Sequence, residues 1–341
     1  MTQSDTEAAG LHEFFFLRHG ERRDQRDSNW RLTSPTPYDS PLTYHGAIQA
    51  LLTGQAIAQH SQGTRFVIHT SPFLRCIQTS LALAAALPTR PVLRIDAFLG
   101  EWMTPDYYKD IQPPPAMSEL VQSARQTIQS LVRKRKLAVE ANAEPQNFSS
   151  SVLQDSDFPY DPSNVQLDIA WDSQQFGPGG ELGEDWPEMH DRVRRGLHRL
   201  IDNFDQPTSS NQPRTVVILV SHAAGCNAML GAVTGRPVLK DVELCSLSHA
   251  VARDCPHTHV LSAAAASLSE TLSKRSARLS QRYILLMTAD SAHLNQEQLD
   301  LLPAGKSPLG SACATSPDLE QYSSSWSWIM ATALTDECDG A

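Results

Sequence analysis

Two histidines, two arginines and one glutamate stand in this chain where short apolar runs give out, and between them they could handle a phosphoryl group. Arg18, His19 and Gly20 follow "FFFL", and Arg75 lies in "SPFLRCIQTS" after "RFVIH". Glu101 lies in "AFLGEW" after "PVLRI", and His222 in "SHAAG" after "TVVILV". A neutral imidazole is a competent nucleophile. Gly20 lets the backbone pass close to the His19 ring, where its carbonyl could fix the tautomer. The planar guanidinium fork matches phosphate oxygens, so Arg18 and Arg75 are candidates to hold the group and balance its charge. His222, if protonated, adds a third cation. Glu101 could protonate the leaving oxygen, provided that crowding by the pocket keeps it protonated near neutral pH.

These residues meet only if the runs before them are neighbouring strands. The runs at 14–17, 65–69, 91–95, 215–220 and 282–287 are short, apolar and rich in β-formers, as befits strands covered on both faces. Helical patterns lie between them. In residues 42–60 the stripe is Ala47, Ala50, Leu51, Gly54 and Ala58. In residues 185–204 it is Trp186, Met189, Val193, Leu197, Leu200 and Phe204, with Asp185 as the start signal. Alternating strand and helix predict an α/β fold, a three-layer sandwich with a mostly parallel central sheet and helices on both faces. Ligands then bind beyond the carboxyl ends of the strands, where the candidate residues stand.

The predicted domain spans 12–290. Residues 104–185 break the alternation and are read as a partly flexible insertion: one amphipathic helix at 118–141, then a polar stretch at 144–164. This insertion is also the candidate surface for protein partners. Residues 291–341 form a partly irregular tail in which "WSWIM" at 326–330 could dock back. The formal net charge of -10 argues against a general nucleic-acid binder while leaving room for a local basic pocket. No stretch approaches the length of a membrane span, and the N-terminus lacks the basic start and apolar run of a secretory signal. Six cysteines without CxxC spacing read as reduced thiols, Cys76 and Cys226 among them as packing residues, which points to the cytoplasm or nucleus. "RKRK" at 133–136 reads as a solvated helix face. Cys255, His257 and His259 lack further ligands, so neither a metal nor another cofactor is expected.

"LRHGER", "SPFLRCIQTS", "FLGEW" and "SHAAG", in this order, resemble the signature elements of the histidine phosphatase superfamily, which holds the cofactor-dependent phosphoglycerate mutases and the acid phosphatases. The resemblance covers about residues 12–290 apart from the insertion. It implies a phosphoglycerate mutase-like fold and a phosphomonoester hydrolase, acting on a phosphorylated small molecule or phosphopeptide. His19 would become phosphorylated, Arg18, Arg75 and His222 would complete the phosphate pocket, and Glu101 would donate the proton. "RHGER" with Asp24 and Trp30, and "PLTYHG" at 41–46, are most similar to the branch of suppressor of T-cell receptor signalling phosphatases and their fungal relatives. Mutases usually carry Ser or Thr two residues after the motif glycine; Arg22 stands there instead, which suggests an extra phosphate-binding cation at the pocket mouth. A mutase-type phosphotransferase is one alternative. Another is a catalytically weak scaffold within a larger assembly, as in a fungal RNA polymerase III transcription factor whose subunit uses this domain. The loop 21–42 would shape access, with Trp30 or Tyr38 touching the leaving group or pinning the loop.

Overall fold

All five apolar runs are strands of one sheet. The computed structural model describes residues 11–140, 162–204, 214–253 and 279–294. Within them run β1 (Glu13–Arg18), β2 (Arg65–Thr70), β3 (Val92–Ile95), β4 (Gln166–Leu167), β5 (Thr215–Ser221), β6 (Leu247–Ala252) and β7 (Tyr283–Asp290). The sheet order is β4-β3-β2-β5-β1-β6-β7. Neighbours pair in parallel from β4 to β1, and β6 runs antiparallel to both β1 and β7. The helices are α1 (Arg23–Arg26), α2 (Trp30–Thr33), α3 (Tyr44–His60), α4 (Leu74–Ala84), α5 (Met117–Glu140), α6 (Trp186–Phe204), α7 (Ala223–Thr234) and α8 (Leu279–Arg282).

The period of two along a strand divides the core into two halves. Phe14 and Phe16 of β1, with Val217 and Leu219 of β5, face α6 and α7. Phe15 and Leu17, with Val216, Ile218 and Val220, face α3, α4 and α5. "FFFL" is therefore apolar throughout because both faces of the central strands are covered, and all four of its side chains are fully buried. The result is the three-layer α/β sandwich expected from the sequence, with a mostly parallel sheet.

Helix α6 buries Trp186, Met189, Val193, Leu197 and Leu200 of the predicted stripe, while Phe204 at its end is only half-buried. Its start is a reciprocal cap, in which Glu188 N donates to Asp185 Oδ1 and Asp185 N to Glu188 Oε2. Helix α3 differs from expectation. Leu52, Thr53, Ala56 and Ile57 are buried, whereas Leu51 and Ala58 are only half-buried. The helix is packed on several sides, so a single stripe describes it poorly.

The described parts of 104–185 join the body. Val121, Ala124 and Ile128 of α5 pack on the sheet, β4 extends its edge, and Trp171 and Phe176 enter the core. Arg133 of "RKRK" is exposed. Most of the polar stretch 144–164, the Cys255–His259 segment and the tail beyond residue 294 lie outside the described residues, as do the side chains of 134–136. Among the described residues, no helix is long and apolar enough to cross a membrane.

Helices α3 and α4 touch at Gly54, where a Cβ would lie well inside contact distance of the Leu83 carbonyl oxygen. Gly to Ala inside a helix ordinarily stabilises by roughly 0.5–1 kcal/mol. Gly54→Ala should instead destabilise by about 1–3 kcal/mol through overpacking, read as a lower urea midpoint. A raised midpoint would mean that the two helices can part at little cost.

Candidate active site

In-register pairing of β1 with β5 sets Arg18 opposite Ser221, so His19 and His222 emerge side by side just past the carboxyl edge of the sheet. Their ring centroids are 5.5 Å apart and both rings are buried. His19 N donates to Ser221 O at 3.0 Å. His19 Nδ1 lies 2.8 Å from Gly20 O. A carbonyl only accepts, so Nδ1 carries the hydrogen and Nε2 is left as an imidazole lone pair. This is the tautomer a nucleophile needs. The glycine, however, has a reason beyond the ring. A Cβ on Gly20 would collide with the Gly46 carbonyl oxygen, and one on Gly46 with Glu21 O, so the loop leaving β1 lies directly on the start of α3.

The cations gather around this ring. Burial lowers the His19 pKa well below its ordinary value, and Arg75, Arg18, His222 and Arg22 lower it further. Arg75, at the first turn of α4, is fully buried. Its Nη2 donates to Glu101 Oε2 at 3.1 Å, its Nη1 lies 3.7 Å from Asp39 Oδ1, and its Nε is without a hydrogen-bond partner. Arg18 Nη1 donates to Val242 O at 2.7 Å, while its buried Nε also lacks a hydrogen-bond partner. Arg22 Nη1 donates to Tyr107 Oη at 2.7 Å, and its Nε is 3.0 Å from Asp24 Oδ1. Unlike Arg75, Arg22 is thus held from outside the pocket.

Glu101 joins the two halves of the site. Its Oε2 lies 3.1 Å from His222 Nδ1 and 3.1 Å from Arg75 Nη2, while Oε1 accepts from Trp102 N at 3.0 Å. Burial alone would raise its pKa, but the Nδ1–H of His222, Arg75 and that backbone N–H outweigh burial and hold it below the usual carboxylate range. Glu101 is therefore ionised at rest, whereas the sequence suggested a carboxyl kept protonated by crowding. His222 also departs from expectation. Burial and Arg75 push its pKa down to about 4 despite Glu101. It is a neutral ring at neutral pH, with Nδ1–H toward Glu101 and Nε2 accepting from Ser71 Oγ at 2.9 Å.

Arg18, His19, Arg75, Glu101 and His222 thus form one cluster, with Arg22 at its mouth. Sequence reasoning missed Ser71, Asp39 and Tyr107. Asp39 Oδ1 accepts from Leu74 N at 2.8 Å and so ties the loop 21–42 to α4. Tyr107 Oη accepts from both Arg22 and Arg31, which lie 5.9 and 5.0 Å from the ring centroid. No periodicity marks Ser71, immediately after β2, or Tyr107, in the 3-10 turn Pro105–Tyr108. Tyr38 packs with Phe73, Met103, Tyr108 and Leu120 and pins the loop, while Trp30 is half-exposed. Cys76, Cys226 and Cys245 are buried free thiols. Burial raises the Cys76 pKa and pushes Cys226 and Cys245 up to about 12, so they are inert packing residues. Among the described residues no group of three or more His, Cys, Asp or Glu side chains could hold a metal ion.

Residues 14–113 match the family model of the histidine phosphatase superfamily (branch 1). This stretch contains Arg18, His19, Arg75 and Glu101; His222 lies beyond it. No curated protein matches the chain. Among solved structures, "Mycobacterial hydrolase 2" is similar at 18% identity and a TM-score of 0.44, over 85% of this chain and 95% of that one. The ecdysone phosphate phosphatase of Bombix mori is similar at 17% and 0.39, over 77% and 98%. Phosphoglycerate mutase from Bacillus anthracis is similar at 14% and 0.42, over 86% and 99%.

Two buried histidines, His19 and His222, and three half-buried ones, His190, His198 and His293, predict that the fold is acid-sensitive. The pKa values of His222 and His190 are lowered to about 4 from 6.5, and those of His19, His198 and His293 are also lowered. Below 6.5 the unfolded chain takes up protons that the native one refuses, so the stability these groups contribute is lost as pH falls toward about 4. Asp39, raised to about 6 by burial, works in the opposite direction but is a single group. The urea midpoint should therefore be lower at about pH 5 than at pH 7.5. An equal or higher midpoint at pH 5 would show that the histidines are not held neutral.

Proposed function

We propose, on the premise that residues 14–113 belong to the histidine phosphatase superfamily (branch 1), that this chain hydrolyses phosphomonoesters through a phosphohistidine at His19. The observation that carries the proposal is the His19 ring, locked by Gly20 O with Nε2 bare and surrounded by guanidinium groups. Nε2 attacks phosphorus, the bond from phosphorus to the leaving oxygen breaks, and that oxygen takes a proton from Glu101. Water then attacks the phosphohistidine and gives a proton back to Glu101, and inorganic phosphate leaves with the His19 lone pair restored. Arg18 and Arg75 hold the phosphoryl oxygens, His222 Nδ1–H supplies a further donor, and Arg22 contributes charge from the mouth.

The ionised state of Glu101 fits this sequence of events. Arg75 and the Nδ1–H of His222 hold its proton off, and both are donors that an incoming phosphate dianion claims. Once they turn to phosphate, burial and the adjacent negative charge both favour the protonated carboxyl, which takes a proton from solvent as substrate binds and returns it to solvent when phosphate leaves. The substrate thereby arms the acid. Kinship with the suppressor of T-cell receptor signalling branch rests on "RHGER", Asp24 and Trp30, with Asp24 engaged by Arg22 and Arg31. The substrate is accordingly a phosphorylated small molecule or phosphopeptide.

His19→Ala should abolish phosphate release from nitrophenyl phosphate while circular dichroism stays native, and full retained activity would refute the mechanism. Glu101→Gln should lower kcat/KM for phenyl phosphate by roughly a hundredfold, with a much smaller loss for dinitrophenyl phosphate, whose leaving group needs no proton. Equal losses on the two esters would remove Glu101 from the acid role.

A further inference from the structure

We infer that Arg192, on α6 and outside the phosphate pocket, is the positioning residue for the Glu101 acid. This role rests on the phosphatase reading above. Glu101 follows the 3-10 turn Ala97–Leu99, a connection that exposes a series of carbonyl groups to a buried environment. Four successive carbonyls there are taken by side chains. Arg192 Nη1 donates to Phe98 O at 2.6 Å and to Gly100 O at 3.3 Å, and Nη2 donates to Glu101 O at 3.3 Å. Ser221 Oγ, on the residue before His222, donates to Leu99 O at 2.8 Å.

The remaining Arg192 donors go to one carboxylate, with Nε to Glu184 Oε1 at 2.6 Å and Nη2 to Glu184 Oε2 at 2.8 Å. All five N–H groups of a guanidinium are thereby used, in a buried side chain. Glu184 also reaches the far side of the acid, because its carbonyl accepts from Trp102 Nε1 at 2.9 Å while Trp102 N donates to Glu101 Oε1. Surrounding residues leave room for the clamp. A Cβ on Gly180 would lie against the Glu184 carboxylate and the Arg192 guanidinium, and one on Gly196 would enter the Phe98 ring.

A buried ion pair that served stability alone would need only its partner, and an apolar pair could often replace it. Here three of the five donors are spent on the backbone of one turn, the turn that delivers the acid. Lysine has three donors at a single point and cannot span this planar set of acceptors. Arg192 makes no contact with His19 or with the oxygens of Glu101 that take part in the chemistry. Its effect on catalysis runs through the direction in which the Glu101 carboxyl is held.

The test uses the full chain and two esters of similar shape, phenyl phosphate and dinitrophenyl phosphate, read as kcat/KM, which reports the first chemical step. Arg192→Lys should lose roughly tenfold or more on phenyl phosphate and much less on dinitrophenyl phosphate. Glu184→Gln, which keeps its shape and most of the packing, should show the same selectivity to a smaller extent and carries the test if the lysine variant does not fold. Equal losses on the two esters, or no loss in either folded variant, would overturn the positioning role. Failure of the wild-type chain to release phosphate from either ester would overturn the phosphatase reading, and this role with it.

Discussion

A buried guanidinium cannot shed its proton, and Arg75 is fully buried. Its charge is tolerable because Glu101 Oε2 lies at 3.1 Å and Asp39 at 3.7 Å. Removing the partner of such a pair costs on the order of 3–5 kcal/mol, a large share of a typical domain's stability. Glu101 must therefore be brought to Arg75 for the protein to fold well, whatever chemistry follows. The same carboxylate accepts from His222, so one side chain joins the end of β5 to the start of α4. Positive charge still exceeds negative charge around His19. The imidazoles respond by staying neutral, which leaves the Nε2 lone pair of His19 in place.

The two helix layers contribute differently to this arrangement. Arg75 comes from α4 on one face of the sheet and Arg192 from α6 on the other, while His19 and His222 leave adjacent strands between them. The pocket is thus a point where three layers must register. Close backbone contacts at Gly20 and Gly46, and the packing of Gly196 on Phe98, fix the separations. A slip of one layer would separate a cation from the shared carboxylate, and the low dielectric of the interior would make that separation expensive.

Most of this geometry could be read from the sequence because strand ends carry it. The runs ending near Arg18, Thr70, Ile95 and Ser221 are apolar enough to be recognised, and parallel pairing brings whatever follows them together. The strand β6 was invisible for a physical reason. In "LSHAVA" the polar His249 is buried because it stacks on Phe15 and its Nε2 lies 3.1 Å from Glu13 Oε2. A buried polar pair breaks the apolar pattern by which strands are recognised, and β4, at two residues, is too short to have a pattern. Helix α3 misled for a related reason, since burial on several sides leaves no single stripe. Protonation states were the least legible feature. They depend on which donors face a carboxylate across elements, and the Glu101 environment reverses the expectation that burial alone creates.

The mouth of the pocket follows a different logic from its floor. On the floor each cation is set by a strand end or helix start, and little choice of geometry remains. At the mouth Arg22 and Arg31 share Tyr107 Oη and the Asp24 carboxylate, all on the loop 21–42 or the short turn Pro105–Tyr108. Two guanidinium groups around one carboxylate leave net positive charge at the entrance. Arg22 also lowers the His19 pKa, so its charge is felt at the His19 ring as well as at the entrance. Tyr107 lies in the segment that continues from Glu101, so a shift of Arg22 or Arg31 away from the phenol would act on the chain that carries this carboxylate. The arginines at the mouth and the carboxylate on the floor are thereby joined through one short piece of backbone.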